Sequence, residues 1–159
     1  MFQELSNTLF AERQLLRRLH FKLDTMRVFL ACGKQDWLAE LNSEITQVER
    51  ELSAVEIIRA AQAAEVAGAH SLEADVALRG LVEAIEEPWR GIFAEHLAAM
   101  STELTEIRAV QETVGPVLAE GARLAQSLAQ SVVGRADAGV YQPDGTSGPS
   151  RPRVIDVAV

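Results

Sequence analysis

The sequence predicts an all-α protein: an antiparallel, coiled-coil-like helical hairpin, a long third helix completing an elongated bundle, and a disordered C-terminal tail. Three observations predict it. Apolar residues recur at spacings of three and four along Phe2, Leu5, Leu9, Leu16, Leu19, Leu23, Met26 and Leu30, with only Glu12 interrupting the series. A second series, Leu38, Leu41, Ile45, Val48, Leu52 and Val55, follows the turn signal Gly33-Lys34 and reaches a charge at Arg59. Aromatics make up only 5% of the chain while alanine, leucine and glutamate abound, which favours helix over sheet. Sustained heptad spacing makes long helices that pack through a narrow seam.

The first helix is expected over residues 2–31 and the second over 36–64, giving a hairpin of residues 2–65. Gly33 is suited to end the first in a left-handed cap, and Asp36 to cap the second. So short a loop folds the helices back on each other, with facing residue numbers summing to about 67. Leu19 then faces Val48, Leu16 faces Leu52, and Glu12 lies within about one turn of Arg59. Two readings of Glu12 and Arg59 are open. They are either a recognition site for a partner or an intrachain pair that fixes the register of the hairpin, and their nearly equal heights favour the second.

After Ala67-Gly68-Ala69-His70, Ser71 is a candidate N-cap for a short helix over 71–87, weakened by Gly80 and ended by Pro88. A long helix is expected over 89–133, with a seam of Phe93, Leu97, Met100, Leu104, Ile107, Gln111, Val114 and Leu118. Gly115-Pro116 should bend it without ending the stripe. Residues 2–133 thus form one helical domain. Residues 134–159 are rich in glycine and proline and lack helical period, so a flexible tail is expected there. Within it, 154–159 have β propensity suited to a partner's sheet edge or to fraying.

The net charge is −8. A field of that sign repels nucleic acid and anionic membranes. The charge is uneven: residues 1–34 carry six basic and three acidic side chains (+3), and 35–134 carry six and seventeen (−11). A basic helix beside an acidic one suits antiparallel pairing. The longest strictly apolar run, 28–32, is far short of the ~18 residues that span a bilayer, so no stable membrane insertion is expected. The lone Cys32, a small apolar residue at the hairpin tip, fits a reducing cytoplasm.

No catalytic residues, metal ligands or cofactor site emerge. The histidines His20, His70 and His96 do not cluster, paired cysteines are missing, and no phosphate loop, zinc or di-iron spacing occurs. Each histidine reads as a surface or capping residue, and no enzyme activity is expected. The candidate binding surface is the late seam, where Leu118, Gly121, Leu124, Ala125, Leu128 and Val132 form an incompletely filled apolar stripe. Small residues there would let another helix approach closely.

Taken in order, several motifs resemble the FlgN-type flagellar export chaperones. They are the leucine-rich opening Leu9, Glu12, Leu15, Leu16 and Leu19; Glu56-Ile-Ile-Arg59 late in the second helix; Ser71-Leu72 followed by Pro88-Trp89; and the glycine-flanked Gly139-Val-Tyr141-Gln-Pro-Asp-Gly145. The resemblance covers roughly residues 2–146. One departure is Gly115-Pro116, which stands where that family often has an asparagine before its last leucine-rich stretch. The resemblance implies a cytoplasmic, non-enzymatic chaperone. It would bind C-terminal helical segments of the hook-associated (hook–filament junction) proteins and deliver them to the flagellar type III export gate. Tyr141 would then contact client or export gate. The alternative is a structural or adaptor protein acting through coiled-coil self-association, unrelated to flagella.

Overall fold

The computed structural model describes residues 1–73 and 78–137, with the side chains of 131–137 excepted. Among the described residues the protein is all-α, as the periodicity predicts. It comprises α1 (Phe2–Ala31), α2 (Leu38–Ala69), α3 (Leu78–Ala84) and α4 (Trp89–Asp137), with a 3₁₀ turn at Gln35–Trp37 joining the first two helices. The chain divides into two units, residues 1–118 and 119–159.

In the first unit, α1 ends where glycine permits it. Gly33 adopts φ +67°, its N–H donates to the Leu30 carbonyl at 3.2 Å, and the Lys34 N–H donates to the Phe29 carbonyl at 2.9 Å. This pair of bonds is a Schellman cap, which needs a left-handed residue at its first position past the helix. The chain then reverses, and α2 runs antiparallel to α1. Lys22 meets Glu44 at 2.6 Å near the turn, and Arg18 meets Glu51 at 3.2 Å further from it. Both pairs lie within two residues of the expected register. They flank the seam rather than fill it, so each contributes at most about 1 kcal/mol. The core is apolar: Leu9, Leu16, Leu19 and Leu23 of α1 lie buried in one cluster with Ile45, Val48 and Leu52 of α2.

Several boundaries differ from the sequence reading. The second helix continues through the alanine-rich stretch to Ala69, because alanine carries no side-chain entropy cost and Gly68 alone does not stop it. Ser71 is not an N-cap. It sits at φ 57° as the left-handed residue of a second Schellman cap, with Ser71 N–H on the Gly68 carbonyl at 3.2 Å and Leu72 N–H on the Ala67 carbonyl at 2.9 Å. That turn displaces the start of the middle helix. The expected helix over 71–87 is only the seven residues of α3 among those described, and its Leu81 is fully buried, as is Ile85 just beyond. The 3₁₀ turn takes the place of a capping Asp36, which makes no side-chain cap bond. Pro116 lies inside α4 without ending it, and α4 runs on to Asp137 rather than 133. Arg135 and Ala136 are good helix formers, whereas Gly134 alone is a weak stop. The expected flexible tail otherwise lies outside the described residues.

Within the first unit α4 runs parallel to α1. Phe2 stacks on Trp89 with ring centroids 5.6 Å apart and lies 6.1 Å from Phe93, and further along both helices His20 reaches Glu103. The buried face of α4 is Phe93, His96, Met100, Ile107, Val110 and Val114. Phe93, Met100, Ile107 and Val114 are the expected ones, while His96 and Val110 replace Leu97 and Gln111. The buried face is therefore turned by about half a residue position, roughly 50°, from the expected seam. Leu97 is half-buried, and Leu104 and Gln111 are exposed.

The two caps yield a paired prediction. Ser71→Gly should raise stability by about 1 kcal/mol, because a non-glycine residue in the left-handed region costs ~1–2 kcal/mol and glycine returns part of that as backbone entropy. Gly33→Ala should lower stability by about the same amount. Urea unfolding followed by circular dichroism checks both signs.

Candidate functional site

Glu12 interrupts the apolar seam of α1, and the fold answers it from α2. Arg59 places Nε 2.9 Å from Glu12 Oε2, with the carboxylate side chain 4% exposed and the guanidinium side chain 27% exposed. Neither atom has a well-aligned hydrogen bond, so the contact is an ion pair whose N–H does not point along the line a strong bond needs. Burial pushes the Glu12 carboxyl above its ordinary range, nearby Glu56 adds to the rise, and Arg59 opposes it. One turn on from Arg59, Gln62 buries its side-chain oxygen without a partner among the described residues. A polar layer thus crosses an otherwise apolar hairpin. Such a layer costs stability but penalises any slip in register that would leave Glu12 unanswered.

A second set of polar layers joins α1 to α4. His96 is 7% exposed; its Nδ1 lies 3.1 Å from Arg13 Nη1 and its Nε2 3.2 Å from Ser6 Oγ. A guanidinium can only donate, so Nδ1 accepts and Nε2 carries the proton and donates to Ser6. Burial lowers the His96 pKa, Arg13 lowers it further, and Glu95 pulls the other way. One heptad along both helices, His20 Nδ1 lies 3.0 Å from Glu103 Oε2, and Arg17 Nε lies 3.9 Å from Glu103 Oε1.

These are the residues that sequence reasoning missed. His96 is an interhelical bridge, not a surface or capping residue, and Glu103 occupies the position expected of Leu104, which is exposed. The signal was the matching seven-residue spacing of Arg13 and His20 on α1 and of His96 and Glu103 on α4.

The candidate binding residues fall on α4. Leu118, 38% exposed, closes the first unit. In the second unit Gly121 and Ala125 are exposed, Leu124 is 57% exposed and Leu128 65%. A Cβ built on Gly121 would meet nothing within 4 Å. Val132 belongs to α4, but its side chain lies outside the described ones, and Tyr141 lies outside the described residues altogether. In the first unit, Leu30, Ala31, Val114 and Val117 line an apolar notch of about 200 Å³ with Arg27 and Thr113 at its edge. Among the described residues no group of three potential ligands is placed to hold a metal, and no helix is long and apolar enough to cross a membrane. No family model, curated protein or solved structure matches the chain.

The asymmetric burial of the ion pair fixes the expected mutant behaviour. Arg59→Met strands a buried carboxylate and should cost about 3–5 kcal/mol at pH 7. Glu12→Gln leaves a part-exposed guanidinium that water can reach, and should cost about 1 kcal/mol or less. Glu12 has a raised folded-state pKa, so its contribution is full below the ordinary value of 4.5 and is lost as pH rises through the folded value. The Arg59→Met deficit should therefore shrink as pH falls toward 4.5. Urea melts at both pH values, with the double mutant included, measure the coupling. Equal and additive losses would mean the pair sets nothing.

Proposed function

We propose that this protein holds an amphipathic helix of a partner against α4, as a FlgN-type export chaperone would hold the C-terminal helical segments of the hook-associated proteins before handing them to the flagellar export gate. The observation that carries the reading is the exposed run Gly121, Leu124, Ala125 and Leu128 in the second unit. Large aliphatic side chains on one stripe of a helix, next to small residues, accept a helix by packing its apolar face closely. The ordered motifs from Leu9 to Tyr141 support the flagellar client in particular, by resemblance. The local charge supports a partner chosen by shape: Glu120 and Arg123 pair with each other at 2.5 Å, leaving the stripe with little net field to select by charge.

Exposed positions make clean variants. Leu124→Asp and, separately, Gly121→Leu should each weaken capture of a synthetic hook-associated C-terminal helix by at least about tenfold, equivalent to ~1.4 kcal/mol. Neither should change the unfolding midpoint of the first unit, since neither touches its core. Calorimetric titration with that peptide, beside sedimentation of the free protein, is the measurement. Full-strength binding by both variants would place the surface elsewhere. A concentration-dependent dimer that Gly121→Leu dissociates, without peptide binding, would favour the self-associating adaptor instead.

A further inference from the structure

We propose that His96 and Arg13 form an acid-releasable latch that holds the N-terminal part of α4 against α1. The argument begins with donor and acceptor counts. Arg13 offers only donors, so its 3.1 Å contact to Nδ1 exists only while that nitrogen keeps its lone pair. Protonating the ring there sets N–H against N–H and puts a second positive charge beside the guanidinium, in a site only 7% exposed. The Ser6 hydroxyl can still accept from Nε2, but it carries no charge to compensate.

The charged groups that act on the ring are Arg13 from α1 and Glu95 from α4 itself. Glu95 stands 3.9 Å from Arg13 with its side chain 79% exposed, where water screens most of its field. No charge from α2 joins them among the described residues. In the neighbouring layer His20 faces a carboxylate, Glu103, at 3.0 Å, where His96 faces a guanidinium at 3.1 Å.

Linkage gives the direction. His96 has a depressed folded-state pKa, so its contribution is full above the ordinary value of 6.5 and is lost as pH falls below it through the folded value. The hairpin moves the other way, because the buried Glu12 is relieved by protonation. Acid therefore loosens α4 at its N-terminal end without loosening α1 from α2. What separates is the contact of residues 89–100 with α1, including the stacking of Trp89 on Phe2. The device makes α4 detachable from a hairpin that stays folded, which does not depend on which partner the protein holds.

The test uses the full chain with Trp37, an exposed residue outside the core, changed to phenylalanine so that Trp89 reports alone. Between pH 7.5 and 5.5, Trp89 emission should shift to the red. Amide exchange, corrected for its intrinsic pH dependence, should quicken in residues 89–100 and stay slow in the hairpin. His96→Gln keeps a donor and an acceptor but cannot titrate, and should abolish the response. Arg13→Met removes the guanidinium partner and should leave His96 titrating nearer its ordinary value, by nuclear magnetic resonance, with exchange in residues 89–100 already quickened at pH 7.5. An unchanged wild-type Trp89 signal, a His96→Gln protein that responds like wild type, or simultaneous loss of protection in all helices would each overturn the latch.

Discussion

The apolar seam between α1 and α2 is the contact on which the first unit depends. Leu9, Leu16, Leu19 and Leu23 meet Ile45, Val48 and Leu52 in one buried cluster. Fully burying each such side chain contributes about 1.5–3 kcal/mol, far more than the flanking ion pairs. α3 and α4 share that core, since Leu81, Ile85 and Phe93 are buried in the same cluster. An elongated hairpin with so narrow a core could slide by a heptad with little loss of apolar contact. Glu12 opposes that slip, because only one register brings Arg59 to it.

The same helix speaks two chemical languages. Toward α2, α1 presents leucines with one charged exception. Toward α4 it presents Ser6, Arg13 and His20, and α4 answers with His96 and Glu103. An apolar seam holds through area and depends little on pH. A seam that adds a neutral buried histidine to its apolar contacts carries one contact that depends on a lone pair, which acid removes. The two interfaces of α1 therefore differ in kind as well as in strength.

Beyond Leu118, α4 continues as a helix whose side chains from 119 to 130 are all exposed. Glu120 and Arg123 pair with each other there. A helix of this length gains little from propensity alone and is normally stabilised by what it packs against. Exposed leucines on such a segment are the feature that a helix-binding role would use.

Much of the architecture was determined by the sequence itself. Two heptad stripes around Gly33 specify an antiparallel hairpin, because the spacing fixes which residues share a face and the short turn fixes direction. From those two facts Glu12 and Arg59 could be placed within a turn of each other. Other features needed the tertiary structure. Periodicity locates the buried face of a helix only to within about one residue, and hydrophobicity then favoured Leu97 and Leu104 over His96 and Glu103. The partners on α1 reversed that choice, since Arg13, Ser6 and His20 satisfy polar groups that would otherwise be costly to bury. Ser71 is a similar case: serine favours a helix start by local propensity, yet the two backbone bonds that close α2 hold it in a left-handed turn. Sequence pattern thus set which helices form and which two must pair. The rotation of α4, and the polar chemistry of its contact with α1, were decided by what each side chain found opposite it.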